Sequence, residues 1–158
     1  MGENKIMEER LKQDDIQWLL RTLRKIDFFE PVSLENIDKV VSGFVKKRYR
    51  RGEVIIKEGA EGTALFVIKS GRCLVYRKKN FFIKEKLAVL TSGDFFGEMS
   101  LLFDDLTSAS VKALEPTEVF VYFKNDFLTW LKNNPKLEEE IRVIAERRRY
   151  KNIMFSKK

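Results

Sequence analysis

The chain has no histidine and only one cysteine, Cys73, which alternates with Leu74 in a strand pattern and is interpreted as a packing residue. Catalysis or metal binding through imidazole is therefore excluded, and a single thiol does not make a zinc site. No apolar run approaches the roughly 20 residues that cross a bilayer, and the charged N-terminus lacks a signal peptide's apolar stretch. Adjacent Asp104 and Asp105 fit a solvated loop better than a hydrolytic pair. These features predict a cytoplasmic protein that is not an enzyme, has no metal or cofactor, and does not associate with membranes.

The chain does contain enough apolar side chain for one folded domain. Its 158 residues are 44% hydrophobic and include 13 phenylalanines, which suffices for a single core. The apolar period is helical up to residue 43, about two from Phe44 to Phe123, and helical again afterwards. We therefore predict an α+β fold, a jelly-roll-like antiparallel β-roll of about eight strands flanked by helices. Its predicted parts, within one domain, are residues 1–43 (N-terminal helical segment), 44–123 (β-roll) and 124–158 (C-terminal helices and basic tail).

Local signals predict where the helices begin. Apolar residues line one face from Leu11 to Ile26, and Ser33 is a good N-cap for a second helix. The apolar residues on one face of this second helix are Leu34, Ile37, Val40 and Val41. Asn125-Asp126 is expected to cap a third helix, and Pro135 to begin the last one, where its missing N–H costs little. The last helix carries an apolar face that either packs on the roll or forms a homodimer contact: Leu137, Ile141 and Ile144.

The most informative segment runs from Gly93 to Ser110 and reads GDFFGEMSLLFDDLTSAS. Gly97 and Glu98 lead from a strand end through a tight turn into one short turn of helix. Backbone N–H groups at such a helix start attract an anion, for example a phosphate. Beside that anion, the Glu98 carboxylate is suited to accept a hydrogen bond from a sugar hydroxyl, although it is also suited to cap the short helix. A phosphate site beside a hydroxyl acceptor indicates a nucleotide.

The same segment resembles the phosphate-binding cassette of the cyclic nucleotide-binding domain family. The family pattern is F-G-E, two small or aliphatic residues and, a few residues later, an arginine followed by two small residues. Gly97 to Leu102 matches the first half, and Ser108 to Val111 matches the residues after the arginine. The arginine position itself is occupied by Thr107. Glycine-punctuated strands between Tyr49 and Val75 match as well, so the resemblance extends from about Leu19 to Arg148.

The resemblance implies a regulatory or sensor domain whose ligand is cAMP or cGMP. Such a domain signals through its C-terminal helix to an effector protein or to a second copy in a homodimer. Within the cassette, residues 93–111, Glu98 is implied to accept the ribose 2′-hydroxyl, and Ser108 to contact the phosphate or a guanine edge. Backbone N–H groups at the start of the short helix are implied to hold phosphate oxygens. The complete predicted ligand site is Gly97, Glu98, Met99, Ser100, Leu101, Thr107, Ser108 and Ala109.

Thr107 leaves a second interpretation open. In the family the arginine pairs with the cyclic phosphate, whereas Thr107 offers one neutral hydroxyl. The alternative is a degenerate fold that binds no nucleotide and acts as a protein-interaction or dimerisation module. Leu87 and Val89 are predicted to line a base pocket or to form ordinary core. Three nearby lysines are interpreted as exposed strand residues and not as substitutes for the arginine: Lys84, Lys86 and Lys112.

The basic end of the last helix raises the question of nucleic acid. Arg147 to Lys151 and the terminal Lys157-Lys158 could contact phosphates, and the net charge of +7 attracts anions in general. Cations are favoured at a helix C-terminus on dipole grounds alone. Four glutamates on the same helix also argue against a nucleic-acid surface: Glu138, Glu139, Glu140 and Glu146. We therefore expect no nucleic-acid partner.

Overall fold

The structure, a computed structural model, describes residues 8–156, although the side chains of Phe28, Ser100 and residues 149–156 are outside the description. The helices are α1 (Gln13–Leu23), α2 (Leu34–Ser42), α3 (Met99–Leu102), α4 (Lys124–Lys132) and α5 (Pro135–Ser156), with a short 3-10 helix at Asp27–Phe29. The strands are β1 (Val45–Tyr49), β2 (Val54–Ile56), β3 (Ala64–Ser70), β4 (Cys73–Lys78), β5 (Lys84–Leu90), β6 (Phe95–Phe96), β7 (Ser110–Ala113) and β8 (Thr117–Phe123). Within these residues, no helix is long and apolar enough to cross a membrane.

The eight strands form two four-stranded antiparallel sheets. The inner sheet has the order β1-β8-β3-β6 and the outer sheet the order β2-β7-β4-β5. The pairing is nested along the sequence: β1 pairs with β8, β2 with β7, β3 with β6 and β4 with β5. Helices cover the far side of the inner sheet. This arrangement confirms the predicted β-roll with flanking helices.

Alternation along the inner strands divides the core into two layers. One set of side chains packs between the sheets, where Phe66 and Phe96 stack with ring centroids 4.9 Å apart. The opposite set, including Phe120, packs against the helices. Because both faces of β3 are covered, five consecutive residues of this strand are buried. Cys73 lies in the layer between the sheets, so its prediction as a packing residue is confirmed.

The helix starts follow the predicted signals in two cases and depart from them in one. Ser33 accepts the N–H of Asn36 at 3.3 Å as the N-cap of α2, and α5 begins at Pro135. The predicted cap at Asn125-Asp126 is wrong, because β8 continues directly into α4 at Lys124. A backbone carbonyl, Thr63 O, accepts the Lys124 N–H at 2.8 Å, so the neighbouring chain satisfies the first of the N–H groups that this helix start leaves unpaired.

One of two predicted apolar faces differs in part from the structure, and the other agrees with one of its stated alternatives. Leu34 is exposed at the start of α2, although the rest of that face is buried. On α5, Leu137 and Ile141 are buried in the core between the helices and the inner sheet. Of the two alternatives stated for this face, packing on the chain's own roll is therefore the one observed.

A buried ionic cluster fastens α1 to the inner sheet. The Asp15 side chain is only 2% exposed and receives Lys69 Nζ at 2.5 Å and Lys46 Nζ at 3.1 Å. It also accepts the backbone N–H of Lys12 at 3.1 Å, which closes the first turn of α1. Burial alone would raise the pKa of Asp15, but the hydrogen bonds from Lys69, Lys12 and Lys46 outweigh it and lower the pKa to about 2.

Candidate functional site

The candidate site is the cassette, and its entry turn depends on Gly97. This residue has φ +86°, a left-handed conformation that side chains rarely adopt. A Cβ added here would lie 2.5 Å from the carbonyl oxygen of Ala64 on β3. The backbone of the turn is thus pressed against the inner sheet, and α3 starts two residues later. The predicted sequence of strand end, tight turn and one helical turn is observed.

Glu98 immediately precedes α3, and its carboxylate is largely removed from water. The side chain is 18% exposed. Burial raises the pKa of this carboxyl above its ordinary range, although a hydrogen bond from its own backbone N–H lowers the pKa in part. Among the described residues, the carboxylate makes no capping hydrogen bond to α3. The capping alternative stated for Glu98 is therefore not the observed geometry.

The charge near Glu98 comes from α5. Arg148 Nη1 lies 3.8 Å from Glu98 Oε1, and the same guanidinium stacks over the ring of Phe95 at 4.7 Å from its centroid. Arg148 also forms an ion pair with Asp27 of the 3-10 helix. Burial lowers the pKa of Arg148 from its ordinary value. One arginine therefore links the cassette, the C-terminal helix and the N-terminal helical segment.

A second arginine of α5 holds the other end of α3. Arg142 Nη1 donates to the carbonyl oxygen of Leu102, the last residue of α3, at 3.2 Å. The orientation of Arg142 is fixed by Glu138 one turn earlier, at 3.0 Å, which is the ion pair expected for an (i, i+4) spacing. Because Arg148 faces the residue before α3 and Arg142 faces its last carbonyl, α5 contacts both ends of the short helix.

Thr107, which the resemblance noted in the sequence places at the family's arginine position, is hydrogen-bonded to the loop between β2 and β3. Its hydroxyl donates to the carbonyl oxygen of Lys57 at 2.5 Å and accepts the N–H of Ala60 at 3.0 Å. Two backbone hydrogen bonds run parallel to these, from Thr107 N to Ala60 O and from Gly59 N to Thr107 O. The single hydroxyl proton of Thr107 is therefore already used within the fold.

A cavity of about 120 Å³ lies between this loop and the cassette. Gly97 and Thr107 both line it, together with apolar side chains such as Ile56 and Phe66. The Glu98 carboxylate faces Arg148 on α5 instead. Pockets that hold small organic ligands measure about 300–1,000 Å³. This cavity is smaller, so a nucleotide would fit at this position only if the loop and the cassette separated.

The other predicted ligand residues differ in how far they are buried. Leu101 is fully buried, and its N–H donates to the carbonyl of Glu98 at 3.2 Å. Met99 and Ala109 are half-buried and Ser108 is exposed, whereas the side chain of Ser100 is outside the described residues. A contact from Leu101 to a ligand would thus have to displace a helical hydrogen bond.

The predicted pocket walls and the lysines also have clear positions. Leu87 and Val89 are about half exposed on β5, so the prediction that they form ordinary core is wrong. Neither lines this cavity, and their role in a base pocket stays a prediction. Lys84 and Lys112 lie over the ring of Tyr76, at 5.3 and 5.4 Å from its centroid. Lys84 and Lys86 are exposed, as interpreted from the sequence, whereas Lys112 is half-buried, so that interpretation is wrong for Lys112.

Sequence reasoning missed the contacts that two arginines of α5, Arg142 and Arg148, make with the cassette. Arg148 was grouped with the basic residues 147–151, yet its side chain faces inward against Asp27 and Phe95. Arg147 is exposed, and the remaining basic side chains of this group and of residues 157–158 are outside the description. The available signal was helical spacing. Arg148 lies three residues after the buried Ala145 and seven after the buried Ile141, and Arg142 lies three residues before Ala145, so both arginines border the buried face of α5.

Known proteins are similar to this chain in sequence. The profile described as the cyclic nucleotide-binding domain matches residues 46–134. The cyclic AMP receptor protein of Thermus thermophilus is 32% identical over 120 residues, which span 76% of this chain and 56% of that protein. A cGMP-dependent 3′,5′-cGMP phosphodiesterase A of Dictyostelium discoideum is 32% identical over 134 residues, which span 85% of this chain and 15% of that protein.

The structural likeness agrees. The crystal structure of the Thermus thermophilus catabolite activator protein matches with a TM-score of 0.66 at 31% identity, over 82% of this chain and 61% of that one. This chain therefore corresponds to only part of the length of each of these relatives. The profile covers more than half of the chain and includes most of the strands and the whole cassette. The chain belongs to the cyclic nucleotide-binding domain family.

Proposed function

We propose that the chain is a regulatory domain that binds a cyclic nucleotide or a related anion at its cassette and passes the occupancy of that site to α5. The observation that carries this proposal is the pair of arginine contacts from α5 to α3. Arg142 contacts the Leu102 carbonyl and Arg148 approaches Glu98, so α3 cannot shift without changing interactions of α5. Coupling of this kind shifts an existing equilibrium between two arrangements of the helix.

Glu98 is suited to act as the switch residue. Its carboxylate is desolvated, and the nearest guanidinium nitrogen is 3.8 Å away, beyond normal hydrogen-bond distance. A buried carboxylate with few hydrogen bonds gains more from a new donor than a solvated one does. A sugar hydroxyl would supply that donor and compete with Arg148 for Glu98, and the change in this contact is what α5 would sense.

The proposed ligand class is cAMP or cGMP. The relatives named above are a cyclic AMP receptor protein and a cGMP-dependent phosphodiesterase, so both cyclic nucleotides are candidates for this chain. Ser108 is exposed beside Thr107, where a hydroxyl is available to a phosphate or a base edge. The neutral Thr107 supplies no charge, so the affinity is expected to be weaker than for a site with arginine.

A second candidate function is a fold that binds no nucleotide and acts through protein contacts or dimerisation. The geometry of Thr107 favours it, because the hydroxyl is already bonded to Lys57 and Ala60 and closes the loop onto the cassette. The small cavity of about 120 Å³ points the same way. In this case α5 and the roll keep the family architecture while the phosphate site is disabled.

Calorimetric titration with cAMP and with cGMP distinguishes the two candidates. The regulatory-domain proposal predicts saturable binding that is lost in Glu98→Ala and retained in Glu35→Ala, an exposed carboxylate on α2. Hydrogen exchange of α5 should change on ligand addition in the wild type and not in Glu98→Ala. No heat with wild type at millimolar ligand, followed by binding in Thr107→Arg, would overturn this proposal in favour of the second candidate.

A further inference from the structure

The hairpin between β4 and β5 ends in an exposed apolar tip that plays no part in the candidate site. Phe81 and Phe82 are 99% and 97% exposed, and Ile83 is 52% exposed. Single exposed apolar residues are ordinary on a protein surface, but three consecutive ones with two nearly fully exposed aromatic rings are unusual. This exposed apolar surface is therefore suited to contact another molecule, because no other part of the described chain covers it.

The tip has a defined backbone conformation. The side chain of Asn80 accepts the N–H groups of Phe82 and Ile83, both at 2.9 Å. The backbone of Lys79 closes the same turn by donating to the carbonyl of Ile83 at 2.9 Å. Since these bonds satisfy the turn internally, the two phenylalanine rings are held at its outer end without contributing to the core.

Lysine residues surround the tip. Lys78 and Lys79 precede the turn and Lys84 and Lys86 follow it, and all four are exposed. The acidic residues nearby are Glu85 and Glu58. Glu85 is neutralised by Arg77 at 3.0 Å, and Glu58 accepts the backbone N–H of Lys78. The tip thus combines an apolar point with a collar of positive charge.

We propose that this tip, residues 78–86, inserts into the surface of an anionic lipid bilayer. Aromatic side chains are favoured at the depth of the headgroups, and lysines beside them are attracted to anionic lipids. Either signal alone gives marginal attachment, whereas an apolar insertion together with a basic cluster gives stable peripheral binding. Such peripheral contact needs no membrane-spanning helix. It departs from the sequence-based expectation that the protein does not associate with membranes.

The shape of the tip favours a bilayer over a protein partner. A stable protein interface buries roughly 800 Å² on each side, and a convex turn with three apolar residues offers no comparable flat or grooved surface. A bilayer deforms around a narrow projection and needs no shape complementarity. The four lysines match a surface that is negative on all sides of the tip, and a single acidic pocket would engage only some of them.

Vesicle flotation tests the proposal with the whole chain. We expect binding to vesicles of phosphatidylcholine and phosphatidylserine in equal parts, and little binding to phosphatidylcholine alone. Phe81→Ser/Phe82→Ser should weaken binding to the mixed vesicles by roughly tenfold or more, from the loss of apolar burial. Replacing Lys78, Lys79 and Lys84 by glutamine should weaken it by roughly fivefold for each lysine and reduce its salt dependence.

Matched controls are available elsewhere on the surface. Leu34→Ser removes an exposed apolar residue on α2, and the triple change Lys25→Gln/Lys132→Gln/Lys136→Gln removes three exposed charges outside the hairpin. Retained binding in Leu34→Ser, together with a smaller loss in this triple variant than in the hairpin triple variant, would support insertion of the tip. Equal binding by wild type and Phe81→Ser/Phe82→Ser would overturn it. Sedimentation would also overturn it if the wild type were an oligomer and the double variant a monomer, because the tip would then contact a second copy of the chain.

Discussion

Two buried carboxylates of this protein are paired with cations in opposite ways. Asp15 is held by two lysines and a backbone N–H, all within 3.1 Å, and its pKa falls to about 2. Glu98 has one arginine nitrogen at 3.8 Å, and burial raises its pKa. Each links a helical segment to the β-roll, α1 for Asp15 and α5 for Glu98.

The difference separates a structural link from a responsive one. A buried carboxylate whose lone pairs are filled at short distance is stable only in that arrangement, and no ligand competes for it. A buried carboxylate with a distant partner has unused hydrogen-bonding capacity, so a new donor changes its environment at little cost. The N-terminal attachment is therefore expected to be rigid, and the C-terminal attachment to be adjustable.

The largest expected effect comes from Asp15→Asn. This change keeps the shape but leaves Lys46, whose side chain is 5% exposed, and Lys69 facing each other without a counter-charge. Removing one partner of a buried ion pair costs about 3–5 kcal/mol. Urea denaturation should show a loss of this size in the free energy of unfolding, while Asp14→Asn, the exposed neighbour on α1, should change it little. Equal effects of the two variants would contradict the structural role of Asp15.

The acid dependence of stability is the next largest effect. The pKa of Asp15 is about 2 in the folded protein and 3.8 ordinarily. In that interval the unfolded chain binds more protons, so the free energy of unfolding falls as the pH is lowered, by about 2 kcal/mol in total. Urea unfolding from about pH 5 to about pH 2 should show this slope in the wild type, and a smaller slope in Asp15→Asn.

The hydrogen bonds of the neutral Thr107 hydroxyl are expected to contribute to stability by an amount between those of Asp15 and Glu98. Thr107→Val keeps the side-chain shape and removes the hydroxyl that bridges Lys57 and Ala60. We expect a loss of about 1 kcal/mol in the free energy of unfolding, because the parallel backbone hydrogen bonds remain. Ser108→Ala, next to it and exposed, should be neutral. No loss in Thr107→Val would mean that water replaces the hydroxyl fully.

The smallest expected effect on stability, and one of opposite sign, comes from Glu98→Gln. The raised pKa means that the folded protein holds a proton on Glu98 more readily than the unfolded chain does. Its stability therefore falls as the pH rises from the ordinary value of 4.5 through the raised pKa. Neutral glutamine should leave the free energy of unfolding at pH 7 unchanged or raise it by less than about 1 kcal/mol, since Arg148 keeps Asp27. A loss as large as that of Asp15→Asn, measured by urea denaturation, would end the distinction between the two carboxylates.

Much of the fold was predictable because local signals and tertiary packing agree. Five of the glycines that punctuate the predicted strands have positive φ in the structure, namely Gly52, Gly59, Gly71, Gly93 and Gly97. Ser33 and Pro135 mark helix starts by local chemistry that needs no distant partner. The start of α4 was not predictable in this way, because the partner of its first N–H is Thr63, some sixty residues earlier in the chain.

The local backbone of the candidate site was predictable from the sequence, whereas its contacts with distant residues were not. The position of Glu98 before a short helix follows from the sequence, but the approach of Arg148 depends on how α5 packs across the cassette. The same holds for Thr107, whose neutral side chain is visible in the sequence while its hydrogen bonds to Lys57 and Ala60 are not. Contacts between residues forty or more positions apart are set by the fold as a whole.

The nested strand pairing also bears on how the chain folds during its synthesis. The inner sheet needs β8, residues 117–123, as the partner of both β1 and β3. Until those residues have been made, β1 and β3 have unpaired edges, and closing the pair requires the ends of a loop of nearly seventy residues to meet. Such long-range pairing slows folding. A nascent chain that stops before β8 is therefore expected to stay open and prone to aggregation, and β8 is the element whose arrival permits the whole roll to close.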